Sequence, residues 1–181
     1  MERNKAWELV KKQVKNKNLR KHMLATEAVM RALARRFGED EEAWGLAGLL
    51  HDLDYDETKD DFERHGFRTA ELLTGELDSE EILYAIKAHP GHVERKTRMD
   101  KALYAVDPLT GLIVAATLMH PEKKLKSVES DFIMRRFAEK RFAAGANREQ
   151  IGSCTGLDLE LDEFITIALK AMQTIDRDLG L

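Results

Sequence analysis

Hydrophobic residues recur at intervals of three and four positions along nearly the whole chain, and no segment of strand length alternates between apolar and polar residues. The first spacing places apolar side chains on one face of an α-helix, whereas alternation would indicate a half-buried strand. Only three of the 181 residues are proline, so few positions interrupt a helix. The pattern therefore predicts an all-α fold.

Six helices are predicted in the first two thirds of the chain, over about residues 5–14, 19–37, 40–53, 61–73, 79–89 and 100–119. The sequence from Ser79 to Ile82 resembles a capping box at the start of the fifth helix, and Pro121 stops the sixth. Two more amphipathic helices are predicted over about residues 128–140 and 159–179, with a short helix near 147–153 between them.

Several titratable residues occupy apolar faces or ends of these helices, where an unpaired polar group costs about 1–3 kcal/mol. One such histidine alone would most often be a core residue bonded to a backbone carbonyl. Four on separate helices, together with two aspartates, favour a metal ion that partners them all, and Asp52 could bridge two ions from its helix end. The residues are His22, His51, Asp52, His65, His89 and Asp107.

Composition limits both the domain organisation and the metal. A chain of 181 residues that is 43% hydrophobic fits a single domain, residues 1–181, with a sizeable core. Cys154 is the only cysteine, which excludes an internal disulfide and a thiolate cluster. Imidazole and carboxylate ligands suit one or two divalent transition-metal ions, namely Fe, Mn, Zn, Co or Ni, better than Mg.

Charge and hydropathy indicate which partners to expect. With 29 basic and 33 acidic residues, the net charge of -4 provides no basic surface for sequence-independent nucleic-acid binding, so no nucleic-acid partner is expected. The N-terminus lacks the apolar segment of a signal peptide, and no stretch is expected to provide the roughly 20 apolar residues of a membrane helix. We therefore expect a cytoplasmic protein without a membrane partner. A homodimer stays open, because the basic and apolar residues of 123–127 and 135–141 suit a dimer contact, substrate closure or a solvated face.

The order of His22, the doublet His51-Asp52 and the later Asp107 resembles the signature of the HD superfamily of metal-dependent phosphohydrolases. The resemblance covers about residues 18–119 and implies a bundle of about five core helices, with residues 120–181 as a C-terminal helical extension. His65 and His89 match two further histidines of the dinuclear branches. The whole set is similar to the small HDIG-type hydrolases, including those that cleave diadenosine tetraphosphate.

This resemblance also implies how the ligands divide. The first ion would be held by His22, His51, Asp52 and Asp107, and the second by His65, His89 and a bridging Asp52. Some hydrolytic branches carry a lysine three residues after the aspartate of the doublet. Tyr55 occupies that position here, so their substrate and acid catalyst are not implied for this chain.

The sequence thus predicts a phosphohydrolase that acts on a small phosphate ester, expected to be a nucleotide, through a metal-activated hydroxide. Asp52, Asp54 and His92 are the predicted catalytic residues. Asp54 and His92 would transfer protons or contact the leaving group, although His92 could equally be an extra ligand, a phosphate contact or an exposed loop residue. Two alternatives are a metal-containing nucleotide-binding or regulatory module without turnover, and a di-iron oxygenase.

Basic residues near the predicted mouth of the site are candidates for contacts with phosphate oxygens. They are Arg20, Lys21, Lys87, Arg95, Lys96 and Arg98.

Overall fold

The computed structural model describes residues 1–181 and contains helices and turns but no β-strand. The helices are α1 (Arg3–Gln13), α2 (Lys17–Phe37), α3 (Glu41–Leu50), α4 (Tyr55–Thr58), α5 (Phe67–Leu73), α6 (Glu80–Ala88), α7 (Arg98–Met119), α8 (Ser130–Ala138), α9 (Arg148–Gly152), α10 (Leu161–Gln173) and α11 (Asp176–Leu179). Short 3-10 turns cover Phe62–Arg64, Leu125–Ser127 and Ser153–Leu157. The predicted all-α fold is confirmed.

The packing of α2 against α3 places two of the predicted ligands side by side. Gly48 of α3 lies so close to α2 that an added Cβ would be 2.9 Å from the backbone of Thr26 and Glu27. Only glycine permits this approach of the two backbones without displacement. The close contact brings His51, which directly follows α3, next to His22 of α2.

Helix α7 is the long central helix of the bundle and carries Asp107. By length and composition alone α7 could span a membrane, so the expectation that no stretch approaches this limit was wrong. Here α7 packs against α2, α6, α8 and α9, and residues such as Leu103, Leu109 and Ile113 are fully buried in the common core. Its apolar character is thus explained by packing inside the protein.

A proline lies inside α7, immediately after Asp107. Because Pro108 has no N–H group, it cannot donate to the carbonyl of Tyr104 four residues earlier. The side-chain amide of Gln150 donates to that carbonyl instead, at 2.8 Å. The segment around α9 therefore compensates for the interrupted hydrogen bonding beside Asp107, an interaction that the sequence analysis did not foresee.

The C-terminal helices complete the same core. Helix α10 packs against α2, α7 and α8, and α11 packs against α2. Phe164 and Met172 of α10 are fully buried with Met23 of α2. Residues beyond 120 thus cover one side of the helices that carry the predicted ligands.

Two predicted helices are interrupted, and one predicted cap differs in detail. The predicted fourth helix is broken at His65, because Gly66 has φ +78° and an added Cβ there would be 2.6 Å from the carbonyl oxygen of Ile86. Ser79 caps α6 by accepting from the backbone N–H of Ile82, but the third helical residue is this isoleucine, so no capping box forms. The last predicted helix divides into α10 and α11.

Candidate metal centre

The predicted ligands come from separate elements that meet at one end of the bundle. His22 and Asp107 project from within α2 and α7, whereas His51 and His89 directly follow α3 and α6. His65 follows the 3-10 turn, and the positive φ of Gly66 turns the chain beneath α6 so that His65 lies beside His89. The break in the predicted fourth helix therefore positions a ligand.

One group of ligand atoms surrounds one oxygen of Asp52. Nε2 of His22 lies 3.2 Å from Nε2 of His51 and 3.1 Å from Oδ1 of Asp107. Oδ2 of Asp52 lies 3.3 Å from the same nitrogen of His51 and 3.6 Å from that of His22. These four residues are the set that the sequence predicted for the first ion.

A second group surrounds the other oxygen of Asp52. Nε2 of His65 lies 3.1 Å from Nε2 of His89. Oδ1 of Asp52 lies 3.3 Å and 3.5 Å from these two nitrogens. Asp52 thus stands between the two groups and offers one oxygen to each, which is the arrangement of a bridging carboxylate.

All four imidazoles have an acceptor for Nδ1. His51 donates to the carbonyl of Gly48 at 2.8 Å and His89 to that of Ile86 at 2.6 Å. Nδ1 of His22 lies 2.9 Å from the Thr110 hydroxyl, and Nδ1 of His65 lies 2.8 Å from Oδ1 of Asp54. Such partners fix the tautomer of a ligating histidine and direct the lone pair of Nε2 at the metal. The backbone and neighbouring side chains therefore prepare all four nitrogens as ligands.

The donor set fits a divalent transition metal. Nitrogen and carboxylate ligands lie about 2.0–2.2 Å from such an ion, so two ligand atoms on one ion stand roughly 3–4 Å apart. The separations within each group, between 3.1 Å and 3.9 Å, match this requirement. These His and Asp residues could therefore hold divalent metal.

Burial and charge have opposite effects on the pKa values of the cluster. Burial raises the pKa of Asp52, but the facing imidazoles outweigh it and hold that pKa well below its usual range. Burial lowers the pKa of His65, whereas its bonds to Asp52 and Asp54 raise it, to about 10 on balance. His89 has a lowered pKa, chiefly because it is buried. At neutral pH and without metal, His65 is thus a cationic imidazolium and His89 a neutral imidazole.

The centre opens to solvent on the side of His22 and Asp107. Their side chains are 21% and 30% exposed, against 6% or less for the other four ligands. Both residues line a cavity of about 340 Å³ whose other walls are Pro108, Gly111, Ala143, Gly145 and Ala146. The Asp107 side of the centre is therefore accessible to a small molecule from solvent.

The opposite side is covered by aromatic rings. The ring centroids of Tyr55 and Phe62 each lie 5.6 Å from that of His65, and the two residues are 43% and 57% exposed to solvent. Together they shield His65, which is only 5% exposed. Tyr55, at the position where other branches carry lysine, thus contributes a ring in place of a cation.

Two of the predicted catalytic residues lie outside the ligand cluster. Asp54 accepts from His65 and from the backbone N–H groups of Gly66 and Thr69, so both its oxygens are occupied and proton transfer by Asp54 does not fit this geometry. The contacts suit a positioning role toward His65. His92 donates from Nε2 to the carbonyl of Phe62 and stacks on Phe67, so the structure gives it a loop contact and no contact with a ligand.

Most of the basic residues predicted to contact phosphate are engaged elsewhere. Arg20 donates to the carbonyls of Val14 and Lys11. Arg95 and Lys96 lie over the rings of Tyr104 and Tyr84, and Arg98 pairs with Glu39. Lys21 differs from these, because it lines a cavity beside His22.

Comparison with curated proteins finds relatives among the ribonucleases. The chain is 30% identical over 131 residues to "Ribonuclease Y" of Sulfurovum sp. (strain NBC37-1) and 28% identical over 137 residues to "Ribonuclease Y" of Oleidesulfovibrio alaskensis. These matches cover 71% and 74% of this chain, which spans only about a quarter, 26%, of each relative. Because both relatives are ribonucleases by name, they do not fit the expectation that nucleic acid is not a partner.

No solved structure matches the chain significantly. In the family comparison, residues 19–124 match the model of the HD domain. The matched range contains all six predicted ligands. In agreement with the order of His22, His51-Asp52 and Asp107 in the sequence, the chain belongs to the HD domain family.

Proposed function

We propose that the protein is a metal-dependent phosphohydrolase with a dinuclear centre that acts on a small phosphate ester or nucleotide. The observation that carries this proposal is the convergence of four imidazole Nε2 atoms on the two oxygens of Asp52. Membership of the HD domain family supports hydrolysis of a phosphate compound as the class of reaction.

The chain's own residues would hold and orient the reacting groups. His22, His51 and Asp107 would bind one ion, His65 and His89 the other, and Asp52 would join both. Divalent metal bound there would supply activation of a water molecule and neutralisation of charge on the phosphate. Gly48, Ile86, Thr110 and Asp54 would keep the four imidazole rings in their ligating orientation through the bonds to Nδ1.

A panel of substrates and metals tests this proposal. Phosphate release would be measured with nucleotides, dinucleoside polyphosphates and sugar phosphates, after loading with Mn, Fe, Co, Ni, Zn or Mg. We expect turnover of at least one substrate, lost by at least about 100-fold in Asp52→Asn, since this change weakens both metal sites. Asp60→Asn, an exposed carboxylate without a side-chain partner, is the matched control and should keep the activity.

Absence of turnover by protein with measured metal content would contradict the proposal. Ligand-dependent melting shifts without phosphate release would then favour the binding-module alternative, and oxygen consumption with a bound substrate would favour the di-iron oxygenase.

Cleavage of RNA is a second candidate, favoured by the two relatives named Ribonuclease Y. Because the chain corresponds to about a quarter of each relative, the match alone does not assign the activity of the whole relative to this chain. End-labelled RNA of about ten nucleotides, incubated with metal-loaded protein and with Asp52→Asn, distinguishes this reaction. Cleavage by the unaltered protein alone would support it, and intact RNA in both samples would exclude it for this chain.

A further inference from the structure

A second cavity, of about 470 Å³, lies beside His22 between α2, α7 and the last three residues. Its apolar lining consists of Ala25, Val114, Ala115, Leu118, Leu179 and Leu181. Cavities that bind small organic ligands are mostly apolar and measure about 300–1,000 Å³, so this one is large enough for such a group. The proposed function does not use it.

This apolar cavity adjoins the cavity at Asp107. His22 and Gly111 line both of them, so the two spaces are neighbours at these two residues. His22 and Asp107 are also the most exposed of the proposed ligands. A phosphate that faces Asp107 would therefore have the rest of its molecule within reach of the apolar cavity.

Two polar side chains at the apolar cavity have no partner within the protein. Neither the amide of Asn18 nor the ammonium group of Lys21 forms a side-chain hydrogen bond or ion pair, although both line the cavity. The Thr110 hydroxyl, by contrast, is engaged with His22 and with the carbonyl of Asp107. The cavity thus combines apolar walls with one amide, which donates and accepts, and one cationic donor.

These features suit a planar heterocycle with a polar edge. An alkyl chain would form no hydrogen bond with Asn18 or Lys21, and a sugar would place several hydroxyl groups against apolar walls, at a cost in free energy. We propose that the cavity binds the nucleobase of a nucleotide whose phosphate faces Asp107. The inference rests on the proposed function for the position of the phosphate. A free nucleotide and the end of an RNA chain carry the same group.

Gly111 allows the cavity to be filled without disturbing the fold. An added Cβ at Gly111 would meet no atom within 4 Å, although the residue lies at the junction of both cavities. Gly111→Leu should therefore place a side chain in this open space while raising helix propensity in α7. Gly152→Leu is the matched control, because Gly152 is equally unobstructed and lines neither cavity.

Binding is measured by calorimetry with AMP, GMP, CMP, UMP and ribose 5-phosphate. We expect at least one nucleotide to bind about tenfold or more tightly than ribose 5-phosphate, since the sugar phosphate lacks the base. Gly111→Leu should weaken nucleotide binding by a similar factor, and by more than it weakens the binding of ribose 5-phosphate. Gly152→Leu should change neither affinity, and the melting temperatures of both variants should stay close to that of the unaltered protein. Equal binding of nucleotides and ribose 5-phosphate, or an unchanged ratio in Gly111→Leu, would overturn the proposal.

A 5′-phosphorylated tetranucleotide distinguishes the two sources of the base. If the tetranucleotide binds more tightly than the mononucleotide, the ligand is the end of an RNA chain, and if both bind equally, it is a free nucleotide. Either result supports binding of the base in the cavity, provided that Gly111→Leu weakens that binding. Failure of the proposed function has a separate signature. Selective nucleotide binding without hydrolysis would refute the proposed hydrolase but support a cavity that binds the base. Equal hydrolysis of AMP and ribose 5-phosphate would support the hydrolase but refute the binding of the base in this cavity.

Discussion

Nδ1 of His65 lies 2.8 Å from Oδ1 of Asp54, and the other oxygen of Asp54 accepts two backbone N–H groups at the start of α5. Asp54 is fully buried and has no free oxygen for a substrate. The carboxylate therefore connects the orientation of one proposed ligand to the helix that follows it.

Substitution of Asp54 by asparagine should weaken the metal site of His65 and His89 selectively. Loss of a partner that orients a ligating histidine typically reduces metal affinity about 10–100-fold. Metal titration against a competing chelator should show this loss for one of two ions, with Asp60→Asn as the control. Equal weakening of both ions, or of neither, would contradict a positioning role for Asp54.

Substitution of Gly48 by alanine should destabilise the protein through the contact between α2 and α3. The added methyl group would lie 2.9 Å from backbone atoms of Thr26 and Glu27, which cannot rotate away. We expect a loss of about 1–3 kcal/mol in the free energy of unfolding, measured by urea denaturation. Gly111→Ala, which meets no atom, should be neutral or stabilising.

Arg148 should hold the loop that lines the cavity at Asp107. Its guanidinium donates to the carbonyls of Phe142, Ala143 and Ala146 at 2.6 Å, 2.9 Å and 2.6 Å. Arg148→Ala removes these bonds, and hydrogen bonds to charged groups contribute about 1.5–3 kcal/mol. The population of the open loop should therefore increase about tenfold or more.

Trypsin can report this opening, because Lys140 and Arg141 are exposed within the loop. Cleavage there should accelerate in Arg148→Ala and stay unchanged in Arg68→Ala, which removes only surface ion pairs with Glu57 and Glu71. Equal cleavage rates in both variants would show that Arg148 does not order the loop.

The stabilisation by metal should increase with pH. In the metal-free protein the pKa of His65 is about 10, raised from 6.5, so its contribution to stability is complete below pH 6.5 and is lost as pH rises toward 10. When His65 binds a metal ion its imidazole is neutral, so the metal-loaded protein does not lose this stability as the pH rises. The increase in melting temperature on metal loading should therefore be larger at pH 8.5 than at pH 7.0, and His65→Gln should reduce this difference. If the increase in melting temperature on metal loading is the same at both pH values in the unaltered protein, His65 is not a metal ligand with a raised pKa.

Helical periodicity and the order of His22, His51-Asp52 and Asp107 were sufficient to predict the helical class and the family. The break at His65 was missed because the apolar spacing from Phe62 to Leu72 is also consistent with a helix, whereas the break depends on Gly66 packing against α6. Gly66 is the local signal that could have indicated it. The role of Gln150 beside Pro108 depends on contacts between residues 46 positions apart, which helical periodicity does not report.

The most direct test of the account is the number of metal ions per chain, measured by elemental analysis of protein prepared without chelator. We expect about two ions, because Asp52 offers one oxygen to each group of ligands. His65→Ala should reduce the number to about one, and His51→Ala should reduce the occupancy of the other group. One ion per chain that His65→Ala leaves in place, or no metal after reconstitution, would contradict the dinuclear centre.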